Sequence, residues 1–491
     1  MPLFDVIGLG GEKHAVIIDI GAAYTKCGFA SETSPRHIIR SVITHTLNGE
    51  AETVDVITNE QDRRPDELYS ILRDFLHQVY FRYLLVNPRD RRVVICESVL
   101  CSTLWRNTIA KVLFKHFEVP SVLFAPHHLL ALFTLGAPSG LVLDCGFTET
   151  VVLPISFYNL KSRNLKVMLL DPWLHHVYEG TAILKAVRTI PLGSRAIHKH
   201  LEEQLMDRSL VQIETGIKPL SSVMNSVGRE TLEDIQVRTC FVAPKFSGPE
   251  GEQRPASLVP KVDYPLDGGR ILRIEGQIRE QTFDILFDGD DEEKSIATCL
   301  LDSILKCPID TRKPLAENIV LIGGTVMTPG FKHRLLQEMY CLLQSSEYKE
   351  NLFIKTIKMH QTPVSANCTS WLGGAIFGAL EVLADRSITK ERYAQDSNIP
   401  DWASCVVQAL DNIPILDERT LERPVLSRRQ TSGITSTLSN ISSSLSSRLL
   451  SGGSRSPLAS SLLQRVGASP SSGTSSSIKE NDKENQKEQK Q

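Results

Sequence analysis

The sequence predicts an α/β protein in which helices cover βαβ-connected sheets, and three stretches carry that expectation. Ile319–Ile322 (IVLI) is a short β-branched run that stops at Gly323 and Gly324, crosses a turn from Thr325 to Pro329 and resumes at helical spacing over Phe331–Leu343. Strand, paired glycine, turn and helix make the crevice at the end of an α/β sheet, where bare backbone lies close to a ligand or a neighbouring strand. Arg92–Cys96 (RVVIC), a helical segment from Thr103 to Phe117 and the strand Val119–Ala125 alternate as a βαβ unit. Two apolar strands, Ala15–Ile20 and the one leading to Asp144, each end in small residues and are followed by a returning strand.

The totals narrow the function classes. The chain has 491 residues, 41% hydrophobic and 23% charged, with a formal charge of -3, which argues against broad electrostatic binding to nucleic acid or an anionic membrane. Ten cysteines are too sparse for a disulfide scaffold and none form a C-x-x-C pair, so reduced core thiols are expected. The opening MPLFDVIGLGGEK lacks a signal-peptide pattern. No stretch approaches the ~20 apolar residues of a membrane span, so no membrane insertion is expected.

Taken in order, Ala15–Ile20 reads as a buried strand, followed by Gly21, Ala22, Ala23, Tyr24, Thr25 and Lys26, with Cys27–Ala30 returning. A small-residue tip can turn N–H groups toward a phosphate, with a lysine supplying positive charge. Thr44–Arg64 is short, too little for a small sheet plus an extended loop. Asp66–Leu84 is an amphipathic helix with Leu68, Ile71, Leu72, Phe75, Val79 and Tyr83 near one face. Gly140–Ile155 gives a strand, Asp144, a small pair and a second strand; an aspartate so placed can hold hydrated Mg²⁺ beside a nucleotide. Pro244–Pro260 is a Pro/Gly/Ser-rich loop, and Asp288–Lys294 an acidic, solvated one. From about Ser427 serine dominates and no apolar period persists, so 427–491 is expected to be a disordered tail.

These strings, in fixed order from about Ala15 to Trp402, resemble the actins and actin-related proteins. The resemblance implies a two-lobed actin-like body over 1–426: a first lobe of about 1–139 and 336–426, its outer subdomain cut back at about 44–64, and a second lobe of about 140–335. Ser156–Val177 stands where the family has nothing. The resemblance also implies a nucleotide site at Gly21, Lys26, Asp144, Gly146, Gly323, Gly324 and Met327, for ATP or ADP held structurally, with Mg held through water by Asp144. Departures accumulate at the phosphates: Ala22 replaces a serine, Phe147 an acidic residue, Val151 a histidine and His127 a glutamine, while Gln236 and Val237 replace a lysine–glutamate pair beside the ribose. Phosphoryl transfer depends on aiming a nucleophile and stabilising charge, so hydrolysis is not expected. His127 and His128 read as partners for nearby backbone.

Ser370–Leu380 (SWLGGAIFGAL) resembles the family's tryptophan–Gly-Gly strand-to-helix turn, which implies such a turn at Gly373 and Gly374. Within the family, Leu84–Cys101, Phe117–Pro126 and Trp371–Leu380 resemble the actin-related subunit at the pointed end of dynactin. That implies a non-catalytic cap on a short actin-like filament, in contact with other pointed-end subunits and indirectly with dynein and cargo, in the cytoplasmic cytoskeleton. A filament repeats one heterologous interface, so a subunit lacking the pointed-side plug would accept no successor. The alternatives are an ATPase or phosphotransferase of the same clan and an actin-related subunit of a nuclear chromatin complex.

Overall fold

Apolar alternation and β-branched runs set the strands, and two of the resulting sheets share one plan. The computed structural model describes residues 13–47, 50–57, 63–137, 139–156, 181–245, 257–289, 294–381, 383–397 and 399. In the first sheet, Val16–Ile20 (β1) and Tyr24–Phe29 (β2) form an antiparallel hairpin that pairs Asp19 with Lys26. His37–Arg40 (β3) extends it antiparallel to β2. Val42–Leu47 (β4) and Glu50–Asp55 (β5) make a separate two-stranded sheet. After the helix Pro65–Gln78 (α1), Val93–Glu97 (β6) runs parallel to β1. The helix Thr103–Lys111 (α2) leads to Ser121–Pro126 (β7), parallel to β6.

The helix His127–Leu135 (α3) then carries the chain to the second sheet. Ser139–Cys145 (β8) and Thr150–Ser156 (β9) form its hairpin. Thr181–Ala182 (β10) and Arg188–Ile190 (β11) pair with β9. The helices Ser194–Arg208 (α4) and Arg229–Thr239 (α5) flank an antiparallel sheet of Leu210–Ile213 (β12), Gly216–Pro219 (β13), Val262–Leu266 (β14) and Arg270–Ile274 (β15), ordered β13-β12-β15-β14. Ile319–Ile322 (β16) closes the second sheet parallel to β8. Ile388–Thr389 (β17) adds an edge to β7.

Both main sheets therefore place an aspartate near the end of the first strand of a hairpin, with a parallel neighbour on its other side. Asp19 is flanked by Lys26 and Cys96, Asp144 by Val151 and Ile322. The cores sit on the sheet faces. Leu68, Ile71, Leu72, Phe75 and Leu76 of α1 pack with Val16 and Ile18 on one face of the first sheet. The other face buries Trp371 with Ile17, Val94 and Leu130. Because α3 also contributes Leu129 and Leu132 to the core of the second sheet, it is shared by both.

Four expectations change. The stretch 44–64 does contain sheet, since β4 and β5 are six residues each and pair from Val42 with Asp55 to Leu47 with Glu50. The second lobe does not end at 335. Phe331, Leu335, Met339, Tyr348, Leu352 and Ile357 all belong to its core, because the helix Phe331–Leu342 (α6) buries its apolar stripe there. Gly373 and Gly374 lie inside the helix Thr369–Gly378 (α7), not at a strand-to-helix turn. A Cβ on Gly373 would stand 2.2 Å from the Leu130 carbonyl oxygen, so glycine permits α7 to lie against α3. The helix read over Asp66–Leu84 turns π-helical over Val79–Leu84 after α1. The tail expected over 427–491 and nearly all of the insert Ser156–Val177 lie outside the described residues.

Candidate functional site

The two hairpins bring Asp19, Lys26, His127 and Asp144 together. The Lys26 Nζ donates to Asp19 Oδ2 at 2.9 Å, and the His127 Nε2 donates to Asp19 Oδ1 at 3.1 Å. On its other side, His127 Nδ1 lies 3.6 Å from Asp144 Oδ2. Burial alone would raise the Asp19 carboxyl, but Lys26 and His127 hold it far below the usual carboxylate range. Burial opposes the charged form of His127 too, yet Asp19 and Asp144 lift its pKa to about 10. Burial would likewise lower Lys26 and raise Asp144, and in each the paired charge reverses the direction. The expected backbone role of His127 is therefore corrected: its ring joins carboxylates from two sheets. A cation at a helix N-terminus is disfavoured by the backbone dipole, and two carboxylates outweigh that. His128 meets its expectation, with Nε2 3.5 Å from the Val151 carbonyl and burial holding it neutral at a pKa of about 4.

A second tier of contacts lies between the first-sheet strands and α5. Tyr24 Oη donates to Glu233 at 2.6 Å, and Arg40 reaches Glu233 at 3.1 Å and Glu230 at 3.2 Å. Arg229 donates to Asp55 of β5 at 2.9 Å, and its guanidinium sits 4.2 Å from the centroid of the Phe147 ring. The position where the family places an acid thus holds an aromatic face that receives a cation. Sequence reasoning missed this tier, because Arg40 and Glu233 are 193 positions apart and share no motif.

The remaining expected residues divide. Gly21 N–H donates to the Tyr24 carbonyl and Gly146 N–H to the Glu149 carbonyl, so both are spent within their own turns. Ala22 follows Gly21 at the hairpin tip, and Val151 is buried in β9 opposite Asp144. Gly323 has φ +99°, and a Cβ there would stand 2.2 Å from the Cys145 carbonyl oxygen, which explains the glycine. A Cβ on Gly324 would meet nothing within 4 Å, so open space lies beside it; Met327 is half-exposed. Nearby, Ala366 accepts from Gly323 N–H, and the adjoining Asn367 Oδ1 is buried without a partner among the described residues.

These observations decide what the site can hold. Open space lies beside Gly324, where the resemblance places a nucleotide. The metal end does not fit hydrated Mg²⁺, since the His127 ring already occupies the gap between Asp19 and Asp144. Among the described residues no group of three or more His, Cys, Asp or Glu side chains is placed to ligate a metal. Nor is any helix there long and apolar enough to cross a membrane.

The family model described as actin matches residues 10–160 and 174–399, its gap falling within the insert. Actin-related protein 10 of Dictyostelium discoideum is 29% identical over 452 residues, spanning 79% of this chain and 89% of that protein. An actin-29 of the same organism is 24% identical over 406 residues, spanning 78% and 95%. The chain belongs to the actin family, and its α/β fold is the one its sequence led us to expect. That family generally binds ATP or ADP with Mg.

Proposed function

We propose that this chain is a non-catalytic actin-related subunit that caps the pointed end of the actin-like filament of dynactin and supports dynein-driven cargo transport on microtubules. The observation that carries the reading is the outer segment. Among its described residues it has a two-stranded hairpin, tied back to α5 by Arg229–Asp55. A head-to-tail filament needs a pointed-side surface to receive each successor, and a subunit with a pinned hairpin there ends the series. Its partners are then the filament subunits and the other pointed-end subunits of dynactin, in the cytoplasm, with dynein and cargo contacted indirectly.

The absence of catalysis rests on Ala22, Phe147, Val151 and His127. None of the four can aim a water at a terminal phosphate, and His127 is committed to two carboxylates. A nucleotide held in this chain has a structural role and enters through the Gly323–Gly324 crevice. Grafting a conventional actin outer subdomain between Ile43 and Pro65 is the test. We expect the graft to restore addition at the capped end, read as longer filaments by electron microscopy. Unchanged filament length, with the graft folded and bound, overturns the reading.

A further inference from the structure

Asp19, buried, and Asp144, part-buried with its side chain 21% exposed, approach one another from two sheets and need positive charge between them, because an uncompensated ion withdrawn from water is costly. A divalent cation is one solution and a protonated side chain is another. Here both ring nitrogens of His127 face carboxylate oxygens, Nε2 at 3.1 Å from Asp19 and Nδ1 at 3.6 Å from Asp144. Facing acceptors on both sides, the ring carries a proton on each nitrogen. Lys26 takes the remaining Asp19 oxygen at 2.9 Å. Two carboxylates are thus matched by two side-chain cations, and a further divalent ion would bring repulsion to the same space.

We infer that His127 does the bridging of a divalent cation, joining the Asp19 sheet to the Asp144 sheet, so that closure of the cleft in this chain is independent of Mg²⁺. The outer tier acts in the same sense. Tyr24, Arg40 and Asp55 meet Glu233, Glu230 and Arg229 across the cleft mouth with protein groups alone. The inference does not rest on filament capping and stands if that reading fails.

The test uses the purified full chain. Thermal unfolding is followed in EDTA and in Mg²⁺, each with and without ATP, and Mn²⁺ binding is read by electron paramagnetic resonance. For the native protein we expect midpoints in EDTA and Mg²⁺ to agree within about 1 °C, below the ~2–4 °C that 1 kcal/mol moves a large domain. We also expect no protein-bound Mn²⁺ in the absence of ATP. His127→Gln removes the cation and leaves the two carboxylates facing one another. That variant should unfold at a lower temperature, recover on adding Mg²⁺ and bind one Mn²⁺. A native midpoint that drops by several degrees in EDTA, or one Mn²⁺ bound to the native chain, overturns the inference. Those two native measurements decide it even where His127→Gln does not fold.

Discussion

Neighbouring histidines at the start of α3 hold opposite charge states, and the pH dependence of stability follows from that. The His127 pKa is lifted from 6.5 to about 10 by Asp19 and Asp144, in a cluster that also contains Lys26. Between those values the folded chain binds more protons than the unfolded one, so this contribution is full below pH 6.5 and is lost as pH rises toward 10. Burial depresses His128 from 6.5 to about 4, so there the unfolded chain binds more protons and stability is lost as pH falls through that interval. Thermal unfolding followed across the range should peak near pH 6.5 and decline on both sides, with His127→Gln flattening the alkaline limb. A midpoint still rising at pH 9 would contradict this assignment. The placement of Lys26, Asp144 and the paired glycines near the ends of apolar strands was legible in the sequence, because the apolar runs mark where each strand turns. The role of His127 was not, because one of its partners lies 108 positions away and only the fold brings them together.

At the scale of elements, α5 is the strut to which the outer hairpin is fastened. Arg229 holds Asp55 of β5 and covers Phe147 of the β8–β9 turn, while its Nε has no partner among the described residues. The ion pair and the cation–π contact are each worth up to about 1 kcal/mol, and the orphaned donor subtracts from that sum. Arg229→Ala should therefore cost about 1 kcal/mol overall and act locally. Hydrogen exchange should quicken over β4 and β5 while the strands of the two main sheets stay protected. Equal quickening everywhere would mean the contact is not local. Strands and helices at the core were legible because period-2 and period-3.6 patterns survive wherever one face is buried. The β4–β5 hairpin was not, since the length of the segment left no room for a sheet beside an extended loop, and length alone does not distinguish a paired ribbon from a loop. The Gly-Gly in α7 misled because small residues mark a turn in an isolated sequence and a close helix contact in a packed one.

Across the described residues, two sheets of like design share one helix, and the ends of one connection bear on how that architecture tolerates change. β9 finishes at Ser156 and β10 begins at Thr181, and those two residues are direct partners across the antiparallel pair. The chain leaves and re-enters the sheet edge at a single rung, so the length between 157 and 180 is decoupled from the register of every strand. Excising 157–177 should shift the unfolding midpoint by less than about 2 °C, the equivalent of under ~1 kcal/mol, and leave exchange of β8 and β9 unaltered. A fall of several degrees would show that the segment is part of the body. That rung is also a natural socket. A fluorescent reporter or an affinity handle spliced there would ride on the second sheet far along the chain from both termini, leaving the cleft and the pinned hairpin as they are.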